Sequence, residues 1–293
     1  MIIVKLIGGL GNQMFQYAAG KALACAHNTE LLFDVSYLLK DPKGAYTKRE
    51  LELDVFHIDL KIATEADIKL FNIDRSNKVT RTLQRNFPFL FSYLYAAESG
   101  SSYQQAFSSF PKNTYLEGFW QSEKYFKSIA SVIRSDFQLK EPLDLKNTKW
   151  MNEIVNSESV SIHVRRGDYV SGLGQQSHVS CDLMYYQKAL DLIKQKKSNI
   201  KAYVFSDDLD WCKANLKFNE PTFYVESNQK QNFEVDMILM SHCKHNIIAN
   251  SSFSWWAAWL NLNDEKLVVA PKNWFADVTL NNKDLLPKEW ITL

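Results

Sequence analysis

The residue types best suited to chemistry stand in four short polar stretches: Gly8-Gly9-Leu10-Gly11-Asn12-Gln13, Arg165-Arg166-Gly167-Asp168-Tyr169, Ser206-Asp207-Asp208 and Asn250-Ser251-Ser252-Phe253-Ser254. Each follows an apolar run and leads towards a helical pattern. Ligands of open parallel sheets gather at the carboxyl ends of strands, so all four are candidate binding elements. Arginine carries a permanent charge and a planar fork of donors that grips phosphate oxygens in bidentate fashion. Neighbouring residues leaving a strand point to opposite sides. Arg165 and Arg166 are therefore expected to do different jobs, one facing a ligand and the other packing or pairing, with Asp168 a candidate partner. A purely structural Arg–Asp pair fits that stretch alone equally well.

The glycine turn offers backbone amides and a helix N-terminus to an anion. Gly9 and Gly11 also match part of a dinucleotide fingerprint, with Asp34 placed for a ribose, but Met14 stands where the third glycine belongs. A side chain there is expected to crowd the helix against the strand. Asn12 and Gln13 are read as presenting amides into a cleft; a tight turn without ligand stays open. One of Asp207 and Asp208 is expected to cap a helix, and a carboxylate facing the cleft would suit guanine N–H donors. Asn250, Ser251 and Ser252 are capping types whose amides and hydroxyls can also hold phosphate. Trp255, Trp256 and Trp259 read as core. Asp236 lies in an apolar segment and is expected to need a partner, with an arginine as candidate. His242 and His245 have no third ligand nearby, and no hard-cation set is complete, so no obligatory metal is expected.

The elements that must position these residues alternate. A strand at 2–7, a helix carrying Phe15 to Ala26 and a strand ending at Asp34 form a βαβ pattern. Residues 40–110 give a poor signal, and 138–150 reads as a polar interdomain segment. Beyond it, strands are expected at 159–164, 202–206, 222–225, 246–249 and 266–270, with helices at 182–195, 207–216, 233–243 and 252–262. The class is α/β, with one Rossmann-like domain over 1–140 and a second over 150–293.

A net charge of +1 offers no global field for nucleic acid or an anionic membrane. The four cysteines make no CxxC or metal pattern and read as reduced structural thiols. Phe87 to Ala97, FPFLFSYLYAA, is too short to span a bilayer and reads as core, with a peripheral membrane contact left open. The expected location is cytoplasmic, with attachment to the inner membrane face left open. There is no GxSxG elbow, P-loop, HExxH or kinase set.

Taken together, GGLGNQMFQYAAGKALA, YLEGFWQSEKYF, IHVRRGDYV with CDLMYYQKAL, FSDDLDWCK and NIIANSSFSWWAAWLN resemble the bacterial α-1,2-fucosyltransferases of glycosyltransferase family 11. The resemblance implies a GT-B-type architecture: two Rossmann-like domains facing across a cleft, acceptor on the N-terminal side and GDP-fucose on the C-terminal side. It implies inverting, metal-independent transfer of L-fucose to the 2-OH of a terminal β-galactoside. The acceptor would be a free oligosaccharide or a lipid-linked glycan, without a cofactor beyond the donor. More distant α1,6- and protein O-fucosyltransferases share the HxRR pattern. By that likeness Arg165 binds the β-phosphate, His163 and Asp207 or Asp208 hold the guanine side, and Ser251, Ser252 and Phe253 contact phosphates or ribose. Asn12 reaches the phosphates from the other domain, with Gly11 and Gln13 beside it, and Arg166 completes the donor-binding set. The α1,6 enzymes place a catalytic glutamate soon after HxRR, whereas no acid stands here between Asp168 and Asp182; Asp168 and His178 are the candidate bases beside the catalytic Arg165. The rival readings are a nonenzymatic nucleotide- or sugar-binding module and an NAD(P)-dependent oxidoreductase using the Gly8–Gly11 turn.

Overall fold

The computed structural model describes residues 1–40, 49–71, 78–166, 181–226, 228, 232–277 and 280–293. The chain forms two units, Met1–Lys140 with Lys283–Leu285 and Glu141–Asn282 with Leu286–Leu293.

In the first unit, β1 (Ile2–Lys5), α1 (Leu10–His27) and β2 (Leu31–Asp34) form the expected βαβ opening. Then come α2 (Glu65–Lys69), α3 (Lys78–Asn86), β3 (Leu94–Ala97), β4 (Thr114–Glu117) and α4 (Ala130–Asp136). The strands make one parallel sheet in the order β2-β1-β4-β3. Ile2, Ile3 and Val4 are wholly buried, as a central parallel strand covered on both faces requires. The first helix is buried along most of its length and stops at Asn28, whose left-handed backbone (φ 46°) returns its N–H to the carbonyls of Ala24 and Cys25. Met14 is fully buried, and a close approach of the helix to the sheet lies at Gly20. A Cβ on Gly20 would come within 2.3 Å of Val4 Cγ2, so the helix can lie this near the sheet only without one.

The second unit runs α5 (Leu145–Val155), β5 (Glu158–Val164), α6 (Leu183–Lys194), β6 (Ile200–Ser206), α7 (Leu209–Asn215), β7 (Thr222–Tyr224), α8 (Phe233–Ser241), β8 (His245–Ile247), α9 (Ser252–Leu260), β9 (Val268–Ala270) and β10 (Ile291–Thr292). Its parallel sheet has the order β10-β9-β8-β5-β6-β7. Along β5 the side chains alternate. Val160, Ile162 and Val164 join Ala202, Val204, Ile247 and Val269 in a core closed by Tyr186, Ala189, Leu190 and Ile193 of α6. Each of the valine, isoleucine and leucine side chains contributes about 1.5–3 kcal/mol on burial. The alternate residues Ser159, Ser161 and His163 are buried and polar. Asn246 Nδ2 donates to Ser161 Oγ at 2.8 Å and to the Met240 carbonyl at 2.8 Å, and Asn261 Nδ2 donates to Asn246 Oδ1 at 2.7 Å. This seam is affordable because its members satisfy one another.

Two expectations need correction. Residues 138–150 do hold the boundary between the units, at Lys140, but are not connector throughout: Asp144 accepts from the Asn147 N–H at 2.7 Å and starts α5 inside that segment, a helix whose one wholly buried apolar residue, Ile154, gives little periodicity to read. The 87–97 run is only half core. Pro88, Leu94 and Ala96 are buried, whereas Phe87, Phe89, Leu90 and Tyr93 are exposed, because a 3-10 turn at Pro88–Leu90 and the edge strand β3 turn alternate residues outwards. Among the described residues no helix is long and apolar enough to cross a membrane. All four cysteines are free thiols; Cys212 and Cys243 are buried. Trp255, Trp256 and Trp259 are core, as expected, and pack with one another.

Candidate active site

Each sheet has one place where strand order reverses, and the crevice there is where open α/β folds bind ligands. In the second unit the chain builds β6 and β7 on one side of β5 and β8 to β10 on the other, so the reversal lies between β5 and β8. The segments leaving those strands carry Arg165 and Arg166 on one side and Asn250 to Phe253 on the other.

The register Val164↔Ser206 brings the two arginines beside the two aspartates that follow β6. Arg165 Nη1 lies 3.0 Å from Asp207 Oδ2. Asp207 Oδ1 accepts the Arg166 backbone N–H at 2.9 Å, which ties the two strand exits together. Arg166 Nε donates to Asp208 Oδ2 at 3.2 Å, and its guanidinium lies 3.8 Å over the Trp211 ring. Asp208 also caps α7, accepting from the Trp211 N–H at 3.1 Å. The two arginines are thus held differently. Among the described residues the acid paired with the Arg166 side chain is Asp208, not Asp236, because parallel register sets it. Asp236 takes its hydrogen bond from Asn228 Nδ2 at 2.6 Å, an amide rather than an arginine. Burial, opposed by that bond and reinforced by Glu234, raises the Asp236 carboxyl to about 7.

His163 is the last inward residue of β5 on the polar face. It is 5% exposed, its ring centroid is 5.6 Å from that of Phe253, and among the described residues its Nδ1 has no hydrogen-bond partner. Burial, with the Arg165 charge added, lowers its pKa to about 3, so the imidazole is neutral at physiological pH and is a poor proton acceptor. Ser251 is the N-cap of α9 but makes no side-chain cap bond. Ser251, Ser252 and Phe253 are partly exposed, leaving hydroxyls and the first helical amides at the reversal point. Asn250 is spent on structure: it is buried and donates to the Trp274 carbonyl at 3.0 Å. His245 is structural too, with Nε2 2.9 Å from Glu158 and Nδ1 accepting from the Leu267 N–H at 3.0 Å.

The first unit reverses between β1 and β4. The loops leaving them meet through a hydrogen bond from Gln121 Nε2 to Asn12 Oδ1 at 2.7 Å. Gln13 does not reach outward as expected. It is wholly buried, donates to the carbonyls of Gly8 (2.9 Å) and Glu50 (2.7 Å), and accepts from the Glu52 N–H at 3.0 Å. Gln16 is similarly consumed between Ile7 and Gly118. The first amide of α1, on Leu10, donates to Glu52 Oε2, so the chain's own carboxylate sits at the helix N-terminus. Gly11 is buried behind it. Asp34 is occupied as well. Burial opposes its ionisation, but hydrogen bonds from the Tyr115 hydroxyl (2.5 Å) and the Ser36 N–H (2.8 Å), with the Lys5 charge, hold its carboxyl below the ordinary range. A carboxylate so committed cannot serve a ribose, and the dinucleotide reading of this turn loses its support.

Asp168 and His178 lie outside the described residues. Among the described residues no group of three or more His, Cys, Asp or Glu is placed to hold a metal. Sequence reasoning missed Glu52, Gln16, Gln121 and Trp211. Only Gln16 left a legible signal, a polar residue on an otherwise apolar helix.

Comparison with known proteins agrees with this geometry. The model of glycosyl transferase family 11 matches residues 1–293. An alpha-1,2-colitosyltransferase of Escherichia coli is 34% identical over 100% of this chain and 99% of its own length. The O-antigen biosynthesis glycosyltransferase WbnK of Escherichia coli is 35% identical over 98% and 99%. The galactoside alpha-(1,2)-fucosyltransferase 1 of Saimiri boliviensis boliviensis is 26% identical over 60% of this chain and 51% of its own. Among solved structures, a GDP complex of a variant of FUT1 from Arabidopsis thaliana superposes with a TM-score of 0.52 at 12% identity, over 93% of this chain and 71% of that one. The fucosyltransferase NodZ from Bradyrhizobium gives 0.50 at 13% identity, over 88% and 92%. The α/β class with two Rossmann-like units, expected of a GT-B enzyme, is the fold of this chain. With its whole length matched and its two parallel sheets each ending in a polar reversal point, the chain belongs to glycosyl transferase family 11.

Proposed function

We propose that this glycosyltransferase moves L-fucose from GDP-fucose to the 2-OH of a terminal β-galactoside, with inversion and without an obligatory metal. The observation that carries the reading is the set at the reversal point of the second unit: Arg165 and Arg166 at the exit of β5, with Ser251 and Ser252 at the start of α9. The 1,2-linkage named in the relatives supports the same position on the acceptor.

Fucosyl transfer passes through an oxocarbenium-like state while negative charge gathers on the departing diphosphate. Arg165 meets that charge with its fork, aided by the Ser251 and Ser252 hydroxyls and the α9 amides, preorganised before reaction. Asp207 orients Arg165, and Asp208 with Trp211 fixes Arg166. His163, neutral and with one nitrogen unpaired among the described residues, suits a hydrogen bond to the nucleotide, with Phe253 against it. In the first unit Asn12 is held by the hydrogen bond that Gln121 gives its Oδ1. Asp168 or His178 takes the proton from the acceptor hydroxyl. The acceptor is a free oligosaccharide or a lipid-linked glycan, and the first unit is its side.

A second reading keeps the chemistry and changes the donor. Colitose is L-fucose lacking the 3-hydroxyl, and a full-length relative is a colitosyltransferase. Incubation with GDP-fucose or GDP-colitose and a galactoside panel, in the presence and absence of EDTA, with NMR assignment of the linkage, tests both. A 1,2-linked fucosyl product formed in EDTA is expected. Product from GDP-colitose alone moves the assignment to the second reading, and no product from either overturns the proposal.

A further inference from the structure

The first unit holds a carboxylate that the donor chemistry leaves unused. β3 and β4 are parallel neighbours, so Glu98 and the Gly118–Trp120 stretch leave the sheet at the same end. Glu98 Oε2 accepts the backbone N–H of Phe119 at 2.6 Å and of Trp120 at 3.0 Å. Two uncommon backbone conformations bring those amides onto one oxygen. Gly118 has φ +156°, and a Cβ there would come within 2.3 Å of Glu98 Cβ; Trp120, not a glycine, has φ +55°. Backbone held in this way is concentrated at binding sites, where the surrounding packing enforces it. The packing here is the fully buried Trp120 indole, set among Phe107, Phe110 and Tyr125.

Clamping the turn uses one oxygen only. Among the described residues Glu98 Oε1 has no hydrogen-bond partner. Phe119 is 44% exposed and makes no ring contact with the described residues. Burial outweighs the two amide bonds and pushes the Glu98 carboxyl above the ordinary range. A fixed carboxylate beside an open aromatic ring matches what a neutral hexopyranose offers, hydroxyl donors at its rim and an apolar C–H face. A galactose ring gathers H3, H4 and H5 on one such face. The pair also sits by the reversal point of its sheet, since the chain continues from Trp120 to Gln121, which bonds Asn12 across it.

We propose that Glu98 Oε1 and the Phe119 ring form a sugar subsite of the first unit, the carboxylate accepting from a ring hydroxyl of a terminal galactoside and the phenyl ring packing on its C–H face. This rests on the galactoside reading above.

The test is NMR titration of the full chain with lactose, alongside thermal shift with GDP, for the wild type, Phe119→Ala, Phe119→Trp and Glu98→Gln. Phe119→Ala alters an exposed side chain, and Glu98→Gln keeps an oxygen for the two amides, so both are expected to fold. The expected result is lactose affinity reduced at least 5-fold in Phe119→Ala and Glu98→Gln, retained in Phe119→Trp, with the GDP response unchanged in all. Lactose bound equally well by every variant overturns the subsite and leaves the function standing. Wild-type protein that responds to GDP but to neither lactose nor any galactoside of the panel overturns the galactoside reading and the subsite together.

Discussion

The two reversal points are built on one plan and filled in opposite ways. In the second unit the strand exits present arginines, and the helix start keeps its serine hydroxyls unused for capping. In the first unit the equivalent helix start is already met by the Glu52 carboxylate, and its glutamine amides are consumed by backbone carbonyls. A βα turn is therefore not an anion site by geometry alone. What decides is whether the chain supplies its own acceptor for the first helical amides. On the function proposed above, this difference places the charged donor on the second unit and neutral recognition on the first.

The contrast can be broken most directly at Arg165. Arg165→Lys keeps the charge and loses the fork, and turnover is expected to fall about 100-fold or more, as for loss of a preorganised donor. Steady-state kinetics with wild-type-like turnover would remove the electrostatic role. Next in size is Gln13→Ala, which takes the partner from the carbonyls of Gly8 and Glu50 and from the Glu52 amide and leaves a hole where a wholly buried side chain stood. A stability loss of about 2–3 kcal/mol in urea is expected, with GDP affinity within about twofold of wild type because structure alone is lost. A tenfold weaker GDP complex in that variant would return the glycine turn to the donor site.

Asp236 sharpens the contrast by marking a half-buried acid of the second unit outside its reversal point. Its folded pKa of about 7 lies above the ordinary value of 3.8, so the folded state binds the proton more tightly. Wild-type stability then falls as pH rises from about 4 to about 7. Asp236→Asn, which keeps an acceptor for Asn228, is expected to raise Tm by several degrees at pH 8 and by almost nothing near pH 4. A gap independent of pH contradicts this. The smallest effect is expected at His163: its ring, with a pKa near 3, should show no NMR titration between about pH 5 and 8. A midpoint near 6 would mean that the site is far wetter than its 5% exposure indicates.

Much of the second unit was legible because its strands are short, apolar and buried, and the helices between them carry clear periodicity. The expected strand at 159–164 and helix at 182–195 lie within a residue of β5 and α6. The Arg–Asp pairing was not legible. Alternation says which face a residue takes, but only the inter-strand register Val164↔Ser206 says which aspartate lies beside which arginine, and register is a long-range property. Gln13 failed for a related reason. A polar side chain at a turn reads as outward until its carbonyl partners, supplied by Glu50 across a distant loop, are in place. Residues 40–110 stayed obscure because their short helices and 3-10 turns are held by packing such as that of Phe56 and Phe71 rather than by their own periodicity.

Lys283–Leu285 belong to the first unit although the residues on either side belong to the second. There Asp284 accepts from the Tyr103 N–H, pairs with Lys124 and lends its carbonyl to the Ser122 hydroxyl. On the ribosome these partners wait. The first unit is largely translated by residue 140, yet Asp284 is made only after nearly all of the second unit. The unit begun first therefore stays incomplete until almost the whole chain has been made, and a fragment ending at Lys140 lacks a piece of its own structure.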